Sequence, residues 1–114
     1  ATAAFEFWVP FNTVIGTTGL VLALNGGAVN TVQYTALIPT SSTTIISSGA
    51  TAYETRITGT GSNGTVSRLQ ANLIGSLVAG TATGTVTLRA SSEVNASAAT
   101  IMAGAWGRIV NKLP

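Results

Sequence analysis

The sequence predicts an all-β protein, a single antiparallel β-sandwich or jelly roll of eight or nine strands. Three observations lead there. Short runs rich in Thr, Val and Ile alternate apolar and polar residues at period two. The i, i+3, i+4 spacing of an amphipathic helix is nearly absent. Gly- and Asn-bearing turn signals punctuate the chain about every 8–12 residues, the spacing of sandwiches and jelly rolls.

The elements follow in order. Phe5, Phe7, Val9 and Phe11 share one face of a first strand, and Glu6 and Trp8 share the other. Pro10 has no N–H to give to a ladder, so it is expected at a strand end, an edge or a bulge. A second strand near residues 19–25 puts Leu20, Leu22 and Leu24 on one face and Val21 and Ala23 on the other. Both faces are apolar, as in a strand covered on two sides. Asn25-Gly26-Gly27 then reads as a turn, because Asn and Gly accept positive φ. Val32, Tyr34, Ala36 and Ile38 line one face of the next strand, and Pro39 to Ser42 forms a loop. A short strand is expected near Thr43–Ser47. Another is expected over Ala50–Thr58, with Tyr53, Thr55 and Ile57 alternating against Glu54, Arg56 and Thr58.

Residues 59–64 read as a flexible loop or hairpin tip. The strand from Thr65 to Ile74 turns Leu69, Ala71 and Leu73 inward and Arg68, Gln70 and Asn72 outward. After a turn at 80–84, Val86, Leu88 and Ala90 alternate with Thr85, Thr87 and Arg89. A loop at 92–97 precedes the last two strands, Ala99–Ala103 and Ala105–Lys112. No internal repeat or linker divides the chain, so residues 1–114 are read as one domain.

Composition narrows the function. The chain contains no His, no Cys and no Asp. A Ser–His–Asp triad or a Cys–His pair cannot be assembled. A zinc site lacks its usual nitrogen and sulfur ligands. No cofactor, metal or catalytic residue is therefore expected. Glu6, Glu54 and Glu93 are the only acids. A glycosidase needs two carboxylates about 5–10 Å apart in a cleft. Glu6 and Glu54 alternate with core positions and are expected on the outside instead. Five scattered cations make no basic stripe, which argues against nucleic acid as a partner. No apolar run approaches the roughly 20 residues of a membrane span.

Charged residues are 7% of the chain, against about 25% in an ordinary soluble domain. So little charge implies that part of the surface is covered by another subunit. Trp8, on the face opposite the phenylalanines, together with Val21, Ala23 and Trp106, is assigned to that interface. A tryptophan outside the core also suits sugar stacking. Asn63-Gly64-Thr65 and Asn95-Ala96-Ser97 match the glycosylation triplet but read as turns. If the protein binds a ligand through loops, Ser62, Asn63 and Asn95 are the candidates.

Two groups of motifs suggest a family. One is the opening Phe5-Glu-Phe-Trp-Val-Pro-Phe11 with Thr18-Gly-Leu-Val-Leu-Ala-Leu-Asn-Gly26. The other is the ending Gly84-Thr-Val-Thr-Leu-Arg89, Ser92-Glu-Val-Asn-Ala-Ser97 and Thr100-Ile-Met-Ala-Gly-Ala-Trp-Gly-Arg-Ile109. Together they resemble small structural proteins and domains of tailed bacteriophages. The resemblance covers both ends and follows the middle loosely. It implies a jelly roll of the tumour-necrosis-factor and complement-globular-head type, usually trimeric, on the outside of the virion. Such modules serve as capsid decoration, head fibres or tail-fibre tips. The chain departs from the pattern by opening almost directly at the aromatic strand, where a further strand or stalk often precedes. An excised domain or a short decoration protein that lost its initiator Met is expected on that ground.

The expectation is a non-enzymatic virion surface protein, a homotrimer in contact with other virion proteins. The alternative is a tail-fibre tip that binds a host receptor or glycan. A cellular adhesion or surface-layer module suits the low charge as well.

Overall fold

The computed structural model describes residues 2–13, 17–27, 29–41, 44–59, 68–79, 85–94 and 98–113. Among them run nine strands: β1 (Thr2–Thr13), β2 (Leu20–Gly26), β3 (Val29–Pro39), β4 (Ile45–Ala50), β5 (Ile57–Thr58), β6 (Leu69–Ala79), β7 (Val86–Ser92), β8 (Ala99–Ile101) and β9 (Trp106–Leu113). They form an antiparallel β-sandwich. The larger sheet has the order β4-β3-β6-β1, with β8 and β9 both pairing the remaining side of β1; the smaller is β5-β2-β7. Late strands pair early ones: β9 and β8 with β1, β7 with β2, β6 with β3.

The alternation read in the sequence sets the core. Phe5, Val9 and Phe11 of β1 are buried, as are Tyr34, Ala36 and Ile38 of β3 and Ala71 and Leu73 of β6. They meet Leu20, Leu22 and Leu24 of β2 in one cluster. Each fully buried aliphatic side chain contributes about 1.5–3 kcal/mol. Gly75 lies between Phe5 and Tyr34 in the ladder, and a Cβ there would sit 2.8 Å from the Phe5 ring. Its bare backbone lets that ring lie across the sheet.

Several boundaries differ from the sequence reading. Pro10 is inside β1, not at its end, and the strand continues to Thr13. On one side β1 pairs β6 along nearly its whole length. On the other, β9 covers Thr2–Trp8 and β8 covers Phe11–Thr13. Pro10 falls at the changeover. Its carbonyl accepts a hydrogen bond from Met102 N at 2.9 Å. The N–H that proline lacks would point to the same side, where the ladder is interrupted anyway.

The strand expected over Ala50–Thr58 is mostly a turn: Ala50 ends β4, and Ile57–Thr58 pairs with β2. Glu54 has φ 64°, a left-handed conformation that ends an extended run. The strand expected near Thr43–Ser47 is β4, displaced toward the C-terminus. The expected strand from Thr65 begins, among described residues, at Leu69 and runs on to Ala79.

The sheets are unequal in width. The larger is five strand positions across and the smaller three. At about 4.8 Å per strand their outermost axes are about 19 and 10 Å apart. The large sheet therefore overhangs the small one.

Candidate functional site

The overhang is most apparent at β8 and β9. Ile109 lies opposite Phe5, and Ile101 opposite Phe11, so both point to the core side of the large sheet. Yet they are 48% and 43% exposed. On the outer side of the same edge, Trp106 and Val110 are 50% and 49% exposed. The four side chains make an apolar edge on both faces of the last strands. Large exposed apolar patches mark contact surfaces.

Three cross-strand arrangements fix β9 on β1. Trp8 and Trp106 are direct partners in the ladder, and their rings stack with centroids 6.1 Å apart and planes at 17°. Two pairs further along, on the same face, Arg108 Nε donates to Glu6 Oε1 at 2.8 Å. On the core side, the Phe7 ring lies over Gly107, where a Cβ would come within 2.4 Å of it. Facing pairs of this kind contribute about 0.2–1 kcal/mol each. Trp8 Nε1 is buried with no hydrogen-bond partner, and a desolvated donor of that sort costs about 1–3 kcal/mol.

The interface residues assigned from sequence separate into two places. Trp8 and Trp106 come together on the large sheet. Val21 and Ala23 lie on the outer face of the small one, only 2% and 7% exposed. They form the floor of a trough of about 240 Å³ walled by Glu54, Arg56, Arg89 and Ser91. The second face of β2 is covered by the chain's own side chains. The candidate loop residues Ser62, Asn63 and Asn95 lie outside the described residues.

Ile101, Ile109 and Val110 were not singled out in the sequence, where they look like ordinary strand residues. The unequal sheet widths expose Ile101 and Ile109, and Val110 lies on the outer face of the large sheet. Each glutamate has a partner: Glu6 on Arg108, Glu54 on Arg89 at 2.6 Å, and Glu93 Oε1 accepting from Gly19 N at 2.9 Å. Among the described residues no three His, Cys, Asp or Glu side chains group as metal ligands. No helix among them is long and apolar enough to cross a membrane. The chain matches no family model, no curated protein and no solved structure.

Proposed function

We propose that this protein is a non-enzymatic structural subunit on the exterior of a bacteriophage particle, a capsid decoration or head fibre, that assembles as a homotrimer. The observation that carries the assembly is the apolar β8–β9 edge, about half exposed among the described residues of a chain with little charge to solvate it. The virion setting rests on the resemblance of the two ends of the chain to phage structural proteins.

A ring of three requires contact between two different patches of one surface. The β8–β9 edge is one. The outer face of the large sheet offers the second: Ile45, Ile74 and Val78 are exposed there, beside a shallow groove lined by Gln33, Thr35, Gly49 and Ser76. In the proposed trimer the edge of each subunit packs on the outer sheet face of the next.

Sedimentation equilibrium of the whole chain tests the assembly. A trimer mass that falls to the monomer in Val110→Glu supports it, and a monomer at all concentrations overturns it. Antibody labelling of intact particles tests the setting. Uniform label over the head is expected. Label confined to distal tail ends would replace this reading with the receptor-binding fibre tip.

A further inference from the structure

The trough over β2 stands apart from the proposed assembly edge, on the outer face of the other sheet. The whole chain has five cations and three anions. Two of those cations and one anion, Arg56, Arg89 and Glu54, converge on this single depression. We propose that it binds an acidic sugar, through the carboxylate and the ring hydroxyls.

The trough's shape follows from the ladder. Ala23 lies opposite Arg89, and Val21 lies between Ser91 on β7 and Thr58 on β5. The Glu54, Arg56 and Arg89 side chains stand around Val21 and Ala23 and cover them, leaving a depression with polar walls. An acidic sugar presents a carboxylate and hydroxyls to such walls.

The wall carrying Glu54 is fixed in advance. Its backbone N–H donates to Leu24 O at 2.8 Å, and its carboxylate accepts from Arg89 Nη1. The Tyr34 hydroxyl, reaching across from the large sheet, lies 2.9 and 3.0 Å from the carbonyls of Ala52 and Thr55 and donates its hydrogen between them. The turn thus clamped holds Glu54 at φ 64°, where a non-glycine residue is strained. Backbone strain held by surrounding contacts recurs at ligand sites.

The chemistry selects the ligand. A guanidinium carries five N–H donors in a planar fork that matches a carboxylate. Arg89 uses one on Glu54, and Arg56 reaches Ser91 Oγ at 3.3 Å. The remaining donors suit a carboxylate at the rim. Glu54 and Ser91 are placed to accept hydrogen bonds from ring hydroxyls. Two guanidinium groups and one carboxylate leave one net positive charge. That balance fits a monoanionic carboxylate better than a phosphate dianion, which would meet Glu54 at close range.

The test is a titration of the whole chain, followed through the Val21 and Ala23 methyl resonances. The probes are sodium glucuronate and N-acetylneuraminate, with glucose and inorganic phosphate alongside. Saturable shifts with at least one acidic sugar, absent with glucose and weaker with phosphate, are expected. Arg89→Gln and Arg56→Gln should each weaken binding by about tenfold, the loss of one charge-assisted hydrogen bond. Both side chains are exposed, so an unchanged thermal melt will show that the variants remain folded. No saturable shift with either acid, equal shifts with glucose or phosphate, or full binding by both folded variants would overturn the proposal. Because the trough and the β8–β9 edge are on different sheets, this outcome and the oligomeric state are read independently.

Discussion

The outer face of β2 and the edge at β9 are both apolar, yet the protein treats them oppositely. Over Val21 and Ala23 the chain lays its own charged side chains, whose aliphatic stems cover the floor while their heads stay in water. Ile109 and Val110 stay about half exposed among the described residues. A strand apolar on both sides is therefore not in itself an interface. What matters is whether the neighbouring strands carry residues long enough to fold over it. β2 has Arg89 on one flank and the clamped turn with Glu54 and Arg56 on the other. Among the described residues β9 is the last strand on its side and pairs β1 alone.

The largest expected effect comes from placing a lysine in each location. Val21→Lys buries an ammonium beside Arg89 and Arg56, and should destabilise the monomer by about 3 kcal/mol in urea unfolding. Ile109→Lys should change monomer stability by no more than about 0.5 kcal/mol but abolish association in sedimentation. The reverse pattern, with Val21→Lys folded but dissociated, would make the trough the interface and break the comparison. Gly107→Ala sharpens it from the core side. The added methyl displaces the Phe7 ring, and a loss of about 1–2 kcal/mol is expected with β9 loosened, visible as faster amide exchange at Arg108 and Ile109.

The smallest effect is a pH dependence at the turn end of the trough. Burial raises the Tyr53 hydroxyl pKa above its ordinary 10.0. The folded state then holds the proton more tightly than the unfolded chain. The resulting stability is complete below pH 10 and is lost as pH rises through the folded-state value. Tyr53→Phe should flatten the alkaline limb of the stability profile, and a limb unchanged in the variant would assign it to another group.

Much of this was legible in the sequence. The Phe5–Phe11 and Val86–Ala90 alternations give their strands and faces directly, because period two is a local property. The turn at 51–56 was not, since Tyr53, Thr55 and Ile57 imitate an alternating strand. What overrides that pattern is the Tyr34 hydroxyl, a tertiary contact from another sheet. The candidate site was half legible. Trp8 and Trp106 were picked out separately as tryptophans away from the main core. Their stacking depends on the register between the first and last strands, which no local pattern encodes. That Val21 and Ala23 lie on a different sheet from the two tryptophans is not encoded locally either.

The position of β1 has a consequence in time. It precedes the other described strands, and its described ladder partners, β6, β8 and β9, come from later in the chain. During synthesis its phenylalanines must wait, unpaired, until the C-terminal half emerges. Closing such distant pairings is slow, on the order of milliseconds to seconds for β-rich domains of this kind. In that interval Phe5, Phe7 and Phe11 are the residues most exposed to mispairing between nascent chains. Pro10, which cannot donate to a neighbouring strand, stands toward the C-terminal end of that segment and limits how far a wrong ladder can extend.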